Sequence, residues 1–264
     1  MEATVVISYY KNLANLELLL LAFNRQSALG RFEVIVSEDD DDPATVKFLA
    51  DIKPQLKFPV IHNSRPDTGF TKCASLNTAI TNANTGFMIF IDGDCIPHKI
   101  FVEAYLANKA PRTVLFGRRV MLSESLSNRL LATKNLDLLH FMNLLLYKCK
   151  RMEEGIYLPS ISHNKTHDML LGCNMGINRD DLIAINGFDE DYVTASGGED
   201  TDIEWRLKLL QGISFKSMKF KAIQYHLYHV DRFTPAIRTA NMLIINNKIA
   251  GGAYFCKNGF IKTN

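Results

Sequence analysis

The chain has no apolar run approaching the roughly 20 residues that a membrane-spanning helix requires. The nearest candidate, Leu136 to Tyr147, is interrupted by Asp137, His140 and Asn143, which excludes a span there and leaves membrane-surface contact open. It has no C-x-x-C pair either. Cys73, Cys95, Cys149, Cys173 and Cys256 are scattered and odd in number, so no closed disulfide framework is expected and a reducing compartment is the simpler reading. Charge of one sign is not in excess: 30 Lys plus Arg against 28 Asp plus Glu give a net +2. That is too near balance for a nucleic-acid binder, so any phosphate recognition must be local. Thr4-Val5-Val6-Ile7-Ser8 begins almost at once, with no basic segment and long apolar stretch before it, so no secretory signal and a cytoplasmic location are expected. No internal repeat or low-complexity tract is evident. The 264 residues, 47% of them hydrophobic, suffice for one large core, or a core plus a smaller lobe.

The first hundred residues alternate between strand-like and helix-like pieces. Thr4 to Tyr10 is β-rich, Asn12 to Gln26 carries Leu16, Leu19, Leu20 and Phe23 at helical spacing, and Phe32 to Ser37 is β-rich again. A helix after Pro43, a strand at Pro59 to His62, a helix from Thr71 to Asn82 and a strand ending at Asp92 continue the rhythm. Such alternation predicts an α/β fold with a mostly parallel sheet flanked by helices and ligands at the carboxyl ends of its strands. Beyond Pro97 the pattern predicts a helix to about Lys109, a strand at Thr113 to Met121 and a long Leu-rich helix from Ser125 to Arg151. Strands at Met169 to Asn178 and Ala222 to His229 follow, with a helix starting near Glu199 between them.

Asp92-Gly93-Asp94 ends the apolar run Gly86-Phe87-Met88-Ile89-Phe90-Ile91. A buried strand that delivers two carboxylates to its tip, with only glycine between them, stabilises a fold poorly. It suits a hard divalent cation, Mn2+ or Mg2+, held against phosphate oxygens. The plainer alternative is a surface turn with two solvated acids.

Other clusters read two ways. In Ser37-Glu38-Asp39-Asp40-Asp41-Asp42-Pro43 the later acids suit a solvated loop capping the helix after Pro43, whereas Glu38 and Asp39, at the strand tip, can accept hydrogen bonds from a nucleobase imide. Arg65, Gly69, Phe70, Lys72 and Asn77 form either a loop entering an amphipathic helix or a place where Arg65 or Lys72 meets phosphate. Glu199 and Asp200 follow the diglycine Gly197-Gly198 in the first turn of a helix whose buried face is Ile203, Leu207 and Leu210. A carboxylate held ionised there can cap the helix and also take a proton from a sugar hydroxyl. His226 and His229 close a strand-like segment and, in company with Asp94, read as metal ligands. His163 and His167, in a polar stretch, read as loop residues with no ligand role.

In order along the chain stand the acidic strand tip, Gly69-Phe70-x-Lys72 with Leu76-Asn77, Asp92-x-Asp94 and Gly172-Cys173-Asn174-Met175. Asn186-Gly187-Phe188-Asp189-Glu190, Gly198-Glu199-Asp200-x-Asp202 and His226-x-x-His229 complete the series. Over residues 3 to 232 this series resembles family 2 glycosyltransferases with the GT-A fold. Gly172 to Asp202 also resembles the galactosyltransferase-like module of β-1,4-galactosyltransferases and chondroitin-type polymerases. The resemblance implies a nucleotide-sugar donor, UDP-linked by preference, a divalent metal, and single-step inverting transfer to a glycan or lipid-linked glycan, as in surface polysaccharide assembly. It implies Asp200 as the base, Asp39 at the nucleobase, Asp92 at the ribose or donor sugar, and Asp94 with His229 at the metal, His226 beside them. Ser8, Tyr10, Glu38, Arg65, Lys72 and Gly93 would complete the donor wall. Asn174, Gly198 and Glu199 would face the acceptor or donor sugar. The acidic tip departs from the commoner Asp-Asp-Gly-Ser by having Asp40 and Asp41 in place of Gly and Ser.

One domain is expected over 1–264: a nucleotide-sugar half to about 98, an acceptor and catalytic half to about 232, then a C-terminal extension. A sugar-nucleotide pyrophosphorylase would carry an N-terminal Gly-rich loop, and Ile7-Ser8-Tyr9-Tyr10-Lys11-Asn12 has no glycine. A non-catalytic carbohydrate-binding relative is opposed by Asp94, Asp200 and His229. Leu130 to Arg151, with Leu131, Leu138, Leu139, Met142, Leu145 and Leu146 beside Lys148, Lys150 and Arg151, reads as a peripheral membrane helix or as one packed on the domain or in a homodimer.

Overall fold

The computed structural model describes residues 1–161, 163, 170–194, 198–230 and 235–263. The elements in chain order are β1 (Ala3–Tyr9), α1 (Leu13–Phe23), β2 (Phe32–Glu38), α2 (Pro43–Ile52), β3 (Val60–Asn63), α3 (Lys72–Asn82), β4 (Phe87–Asp92) and β5 (Cys95–Pro97). Then come α4 (Phe101–Asn108), β6 (Thr113–Phe116), β7 (Val120–Met121), α5 (Glu124–Thr133), α6 (Phe141–Leu146) and β8 (Met175–Asn178). The last are α7 (Arg179–Ala184), α8 (Glu199–Lys208), β9 (Ser214–Ser217), β10 (Gln224–His226) and α9 (Pro235–Gly251).

Among the described residues the larger sheet has seven strands in the order β3-β2-β1-β4-β8-β6-β9. The β3-β2-β1-β4 half is parallel, β8 runs antiparallel to both β4 and β6, and β9 is parallel to β6. Alternate residues of the central strands feed two apolar layers, as the period of two in a strand requires. Val5, Ile7, Val34, Val36, Ile89 and Ile91 pack with Leu16, Leu19, Leu20 and Phe23 of α1 on one face. Val6, Ile35, Met88 and Phe90 pack with Leu76, Ala79 and Ile80 of α3 and Ile203 and Leu207 of α8 on the other. Because both faces are covered, these strands read as unbroken apolar runs. The fold is a mixed α/β arrangement around a mostly parallel sheet.

Parallel register brings the strand tips together: Ser8 lies opposite both Ser37 and Asp92, and Tyr9 opposite Glu38. A second sheet, β5-β10-β7, begins immediately past the β4 tip. Its register sets His226 beside Cys95 on one side and beside Met121 on the other.

Several boundaries differ from expectation. The strand expected over Thr113 to Met121 is split at Gly117-Arg118-Arg119 into β6 and β7, which join different sheets. The helix expected from Ser125 to Arg151 is broken: Lys134 takes a left-handed conformation (φ 53°) that ends α5, and α6 is a separate short piece. Leu131, Leu138 and Leu139, assigned to one apolar stripe with Met142, Leu145 and Leu146, instead pack partly buried against the core. The strands expected at Met169 to Asn178 and Ala222 to His229 shrink to β8 and β10, and Met169, His167 and Gly197 lie outside the described residues. Helix α9 occupies what was read only as an extension. Lys248 ties it to Asp189 and Asp191.

Candidate active site

The acidic tip of β2 is accommodated residue by residue. Glu38 is fully buried and meets His62 Nε2 at 2.7 Å; Asp39 accepts the Thr71 backbone N–H at 2.8 Å and the Thr71 hydroxyl; Asp40 faces Lys11 Nζ at 3.3 Å. Asp42 caps α2 by accepting the Ala44 N–H, with Pro43 in the first turn. Only Asp41 is left exposed without such a partner. Burial pushes the Asp39 carboxyl up, against the two Thr71 hydrogen bonds and the charge of Arg65. Each Asp39 oxygen keeps a lone pair for a ligand donor, whereas Glu38, expected beside the base, is turned into the sheet.

The loops around this tip are cross-linked through Lys11 and Asp67, a pair that sequence reasoning passed over. Lys11 Nζ bonds Asp67 at 2.6 Å, Tyr10 Oη donates to the same carboxylate at 3.1 Å, and Gly69 N–H donates to its other oxygen. Arg65 donates its backbone N–H to the Asp40 carbonyl, and its buried Nε has no partner. Tyr10 and Arg65 thus belong to the loops that border the β2 tip, and the Arg65 charge acts on Asp39.

At the β4 tip, Gly93 N–H donates to the Ser8 carbonyl at 2.8 Å, and a Cβ at Gly93 would stand only 3.0 Å from that oxygen. Glycine is thus the residue that lets the chain turn directly from Asp92 to Asp94. Asp92 then meets Lys72 Nζ at 3.1 Å, and the same nitrogen meets Glu199 at 3.1 Å. Burial alone would lower the Lys72 pKa, but the two carboxylates reverse this and hold it well above the usual lysine value. One ammonium therefore ties the tip of β4 to the first turn of α8.

Gly198 opens α8 at φ 136°, where a Cβ would press the Tyr192 ring at 3.0 Å. Asp200, in the first turn, accepts the Gly172 N–H at 3.3 Å and the Thr201 N–H at 2.8 Å. The helix is anchored from below by a buried pair the sequence reading did not name. Arg206 donates to Asp202 at 2.7 Å and to the Ile185 and Gly187 carbonyls at 2.7 and 2.9 Å. Its signal was legible as Asp202-x-x-x-Arg206, an i,i+4 pair. Asn174, expected at the sugar, is fully buried. It accepts from Tyr105 Oη at 2.6 Å and donates to the Arg118 and Ala222 carbonyls, so its polar atoms are spent inside the fold.

On the second sheet, Asp94 Oδ2 stands 3.4 Å from His226 Nε2 and 3.4 Å from His229 Nε2. Burial opposes ionisation of Asp94, but the His229 hydrogen bond and the two imidazoles hold its carboxyl down at about 2. Burial lowers the His226 pKa, and its Nδ1 is buried without a partner. His229 Nδ1 faces the Val230 carbonyl at 3.1 Å; with the proton on that nitrogen alone Nε2 offers Asp94 a lone pair, and with the ring doubly protonated Nε2 donates to it. An ionised carboxylate facing an imidazole lone pair calls for a positive charge between them, either a proton or a metal ion. Cys95 Sγ joins this group, with Asp94, Cys95 and His226 donor atoms all within 4.8 Å of one another. Arg119 was also missed. It donates to Cys173 Sγ at 3.1 Å, its charge acts on Asp94, and the dibasic Arg118-Arg119 at the end of β6 was its sequence signal. His163 stacks edge-on to Phe220.

Residues 4–170 match the sequence pattern of Glycosyl transferase family 2, well over half of the 264 residues. The chain belongs to glycosyltransferase family 2. Residues 157–230 of this glycosyltransferase also match the pattern described as the N-terminal domain of galactosyltransferase. It is 23% identical over 239 residues to the chondroitin synthase of Escherichia coli, with 84% of this chain covered and 34% of that protein. Among solved structures, Staphylococcus aureus TarS 1–349 in complex with UDP-GlcNAc superposes with a TM-score of 0.63 at 16% identity, over 94% of this chain and 66% of that one. The Pyrobaculum calidifontis mannosyltransferase PcManGT, in complex with GDP-Man and Mn2+, gives 0.61 at 15% identity, over 95% and 64%. The family 2 chain thus spans about a third of the curated relative it matches.

Proposed function

We propose that this glycosyltransferase moves a hexose or N-acetylhexosamine from a nucleotide-sugar, UDP-linked by preference, to a hydroxyl of a glycan or lipid-linked glycan with inversion. The observation that carries this reading is the pair of facing clusters joined by Lys72: Asp92 and Asp94 with two histidines on one side, Glu199 and Asp200 on the other. The complexes of TarS and PcManGT with sugar nucleotides support the donor class. The donor half would be residues 1–98 and the acceptor half 99–232.

Asp94 would hold a divalent ion together with His226 and His229. Neighbouring ligands of an octahedral ion with ~2.1 Å bonds lie about 3 Å apart, close to the 3.4 Å spacings here, and a mixed carboxylate and imidazole set suits Mn2+. Mn2+ bound there would supply positive charge to a departing diphosphate. Asp39 accepts the nucleobase imide N–H, with Tyr10 and Arg65 flanking it and the Ser8-Gly93 turn shaping the ribose edge. Arg119 adds a fixed cation on the diphosphate side. Asp200 takes the proton of the acceptor hydroxyl as its oxygen bonds to the anomeric carbon and the carbon–phosphate oxygen bond breaks, the electron pair leaving with the nucleoside diphosphate. The N–H donors of Gly172 and Thr201 fix the orientation of the Asp200 carboxylate in the first turn of α8. Glu199, oriented by Lys72, receives sugar hydroxyls. In this reading Asn174 and Glu38 support the site from behind.

A donor screen across UDP-, GDP- and dTDP-sugars with Mn2+, with and without acceptors, tests the class. Asp200→Asn should abolish transfer and leave UDP-sugar affinity nearly intact; full turnover would remove Asp200 from the mechanism. Asp94→Ala should weaken Mn2+-dependent donor binding in calorimetry, and unchanged binding would sink its ligand role.

A further inference from the structure

Helix α6 turns its apolar side chains outward. Phe141, Met142, Leu145 and Leu146 are 48%, 64%, 52% and 74% exposed, while Leu144 alone is buried. At 100° per residue the four exposed side chains span an arc of about 140° on one face. A six-residue helix has no stability of its own, so this face is not a by-product of helix propensity. Isolated exposed apolar residues are ordinary, whereas four adjacent ones on a short projecting helix mark an interaction surface.

Its charge identifies the occupant. Lys148, Lys150 and Arg151 follow directly, all exposed, and none forms an ion pair among the described residues. They stay at the helix end, because Lys148 N–H bonds the Leu145 carbonyl and Cys149 N–H the Leu144 carbonyl. Nearby acids do not offset them: Asp137 is paired with Arg25 and Glu154 with Lys219, which leaves Glu153. Large apolar side chains rimmed by unpaired cations match the headgroup boundary of an anionic bilayer. The stretch is also fixed to the metal-side sheet. Lys150 and Met121 exchange two backbone hydrogen bonds of 2.8 and 2.9 Å, and Met121 is the ladder neighbour of His226. Two strand spacings, about 10 Å, therefore separate the Lys150 backbone from that of His226.

We propose that α6 and the Lys148–Arg151 turn dock this protein onto an anionic lipid surface, with Phe141, Met142, Leu145 and Leu146 entering the interface. The binding does not depend on the proposed transfer reaction. If that reaction holds, docking brings a lipid-borne acceptor to the metal side of the site.

The test is flotation of the full chain with phosphatidylcholine vesicles, with and without phosphatidylglycerol. Binding to the anionic vesicles should fall with added salt. Leu145→Glu with Leu146→Glu should lower it at least tenfold, and Lys148→Glu, Lys150→Glu and Arg151→Glu together should abolish the salt-sensitive part. All these side chains are exposed, so the variants should keep the wild-type thermal midpoint, which separates lost docking from lost folding. No binding to anionic vesicles at low salt overturns the proposal, as does equal binding by wild type and variants. A dimer in sedimentation that the leucine variant dissociates, without vesicle binding, makes the occupant a second copy and overturns it equally.

Discussion

Replacing Lys72 by methionine removes the one cation between Asp92 and Glu199 while keeping the length of the side chain. Both carboxylates lie 3.1 Å from the same nitrogen, so they are no more than about 6 Å apart and repel once it is gone, by about 3 kcal/mol at an effective dielectric of 20. Breaking a buried pair by removing one partner costs about 3–5 kcal/mol. Asp92 retains 28% side-chain exposure, so water recovers part of this and the expected loss is about 3 kcal/mol. For a chain of this size each kcal/mol moves the thermal midpoint by about 2–4 °C, which gives a fall of about 6–12 °C in a melting experiment. The first turn of α8 would shift with it. A misplacement of about 1 Å at a reacting group costs on the order of a hundredfold in rate, so turnover of the donor should drop accordingly in the still-folded protein at low temperature. Lys72→Arg, which keeps the charge, should recover most of the stability. A midpoint within about 2 °C of wild type, with turnover unchanged, would refute the view that Lys72 holds the two halves of the site together.

Asn174→Ala should behave as a lesion of the core. It strands the Tyr105 hydroxyl and two carbonyls at about 1–3 kcal/mol each, and an unchanged melting midpoint with altered sugar preference would return Asn174 to the binding surface. Burial, helped by the Lys99 charge, lowers the His98 pKa from 6.5 to about 4. The unfolded chain therefore binds the extra proton in that window, and the stability present above pH 6.5 is lost as pH falls toward 4, by about 2 kcal/mol at pH 5. Urea midpoints at pH 7 and 5 should differ less in His98→Gln, and an identical slope would exclude His98 as a source of acid sensitivity. Asp200→Asn and the α6 variants complete the set with the outcomes stated above.

The parallel half of the sheet was legible because its strands are buried on both faces and leave unbroken apolar runs, while α1 and α3 carry their stripe at helical spacing. The stretch from Ser125 to Arg151 misled because a periodic Leu pattern says nothing of backbone turns at Lys134, Lys148 and Arg151, where non-glycine residues take positive φ under tertiary constraint. Arg119 and the backbone anchoring of Arg206 were missed for a different reason. Their partners, Cys173, Ile185 and Gly187, are distant in sequence, and only packing sets them within reach.

By itself the sequence determined where carboxylates and imidazoles end their strands, since local pattern fixes which residues occupy a strand tip or a helix start. That was enough for the α/β class and for naming Asp94 with His226 and His229, each of which the fold sets 3.4 Å from it. Which of those groups face a ligand is a matter of long-range contact. Glu38 and Asp39 are neighbours in sequence, yet Glu38 meets His62 inside the sheet and Asp39, also buried, accepts two hydrogen bonds from Thr71. Asn174, one residue from Cys173 and two from Gly172, is consumed by Tyr105 and two carbonyls. Tertiary structure decided these cases, because the direction of a side chain and the partner that satisfies it are set by elements that meet only when the sheet closes.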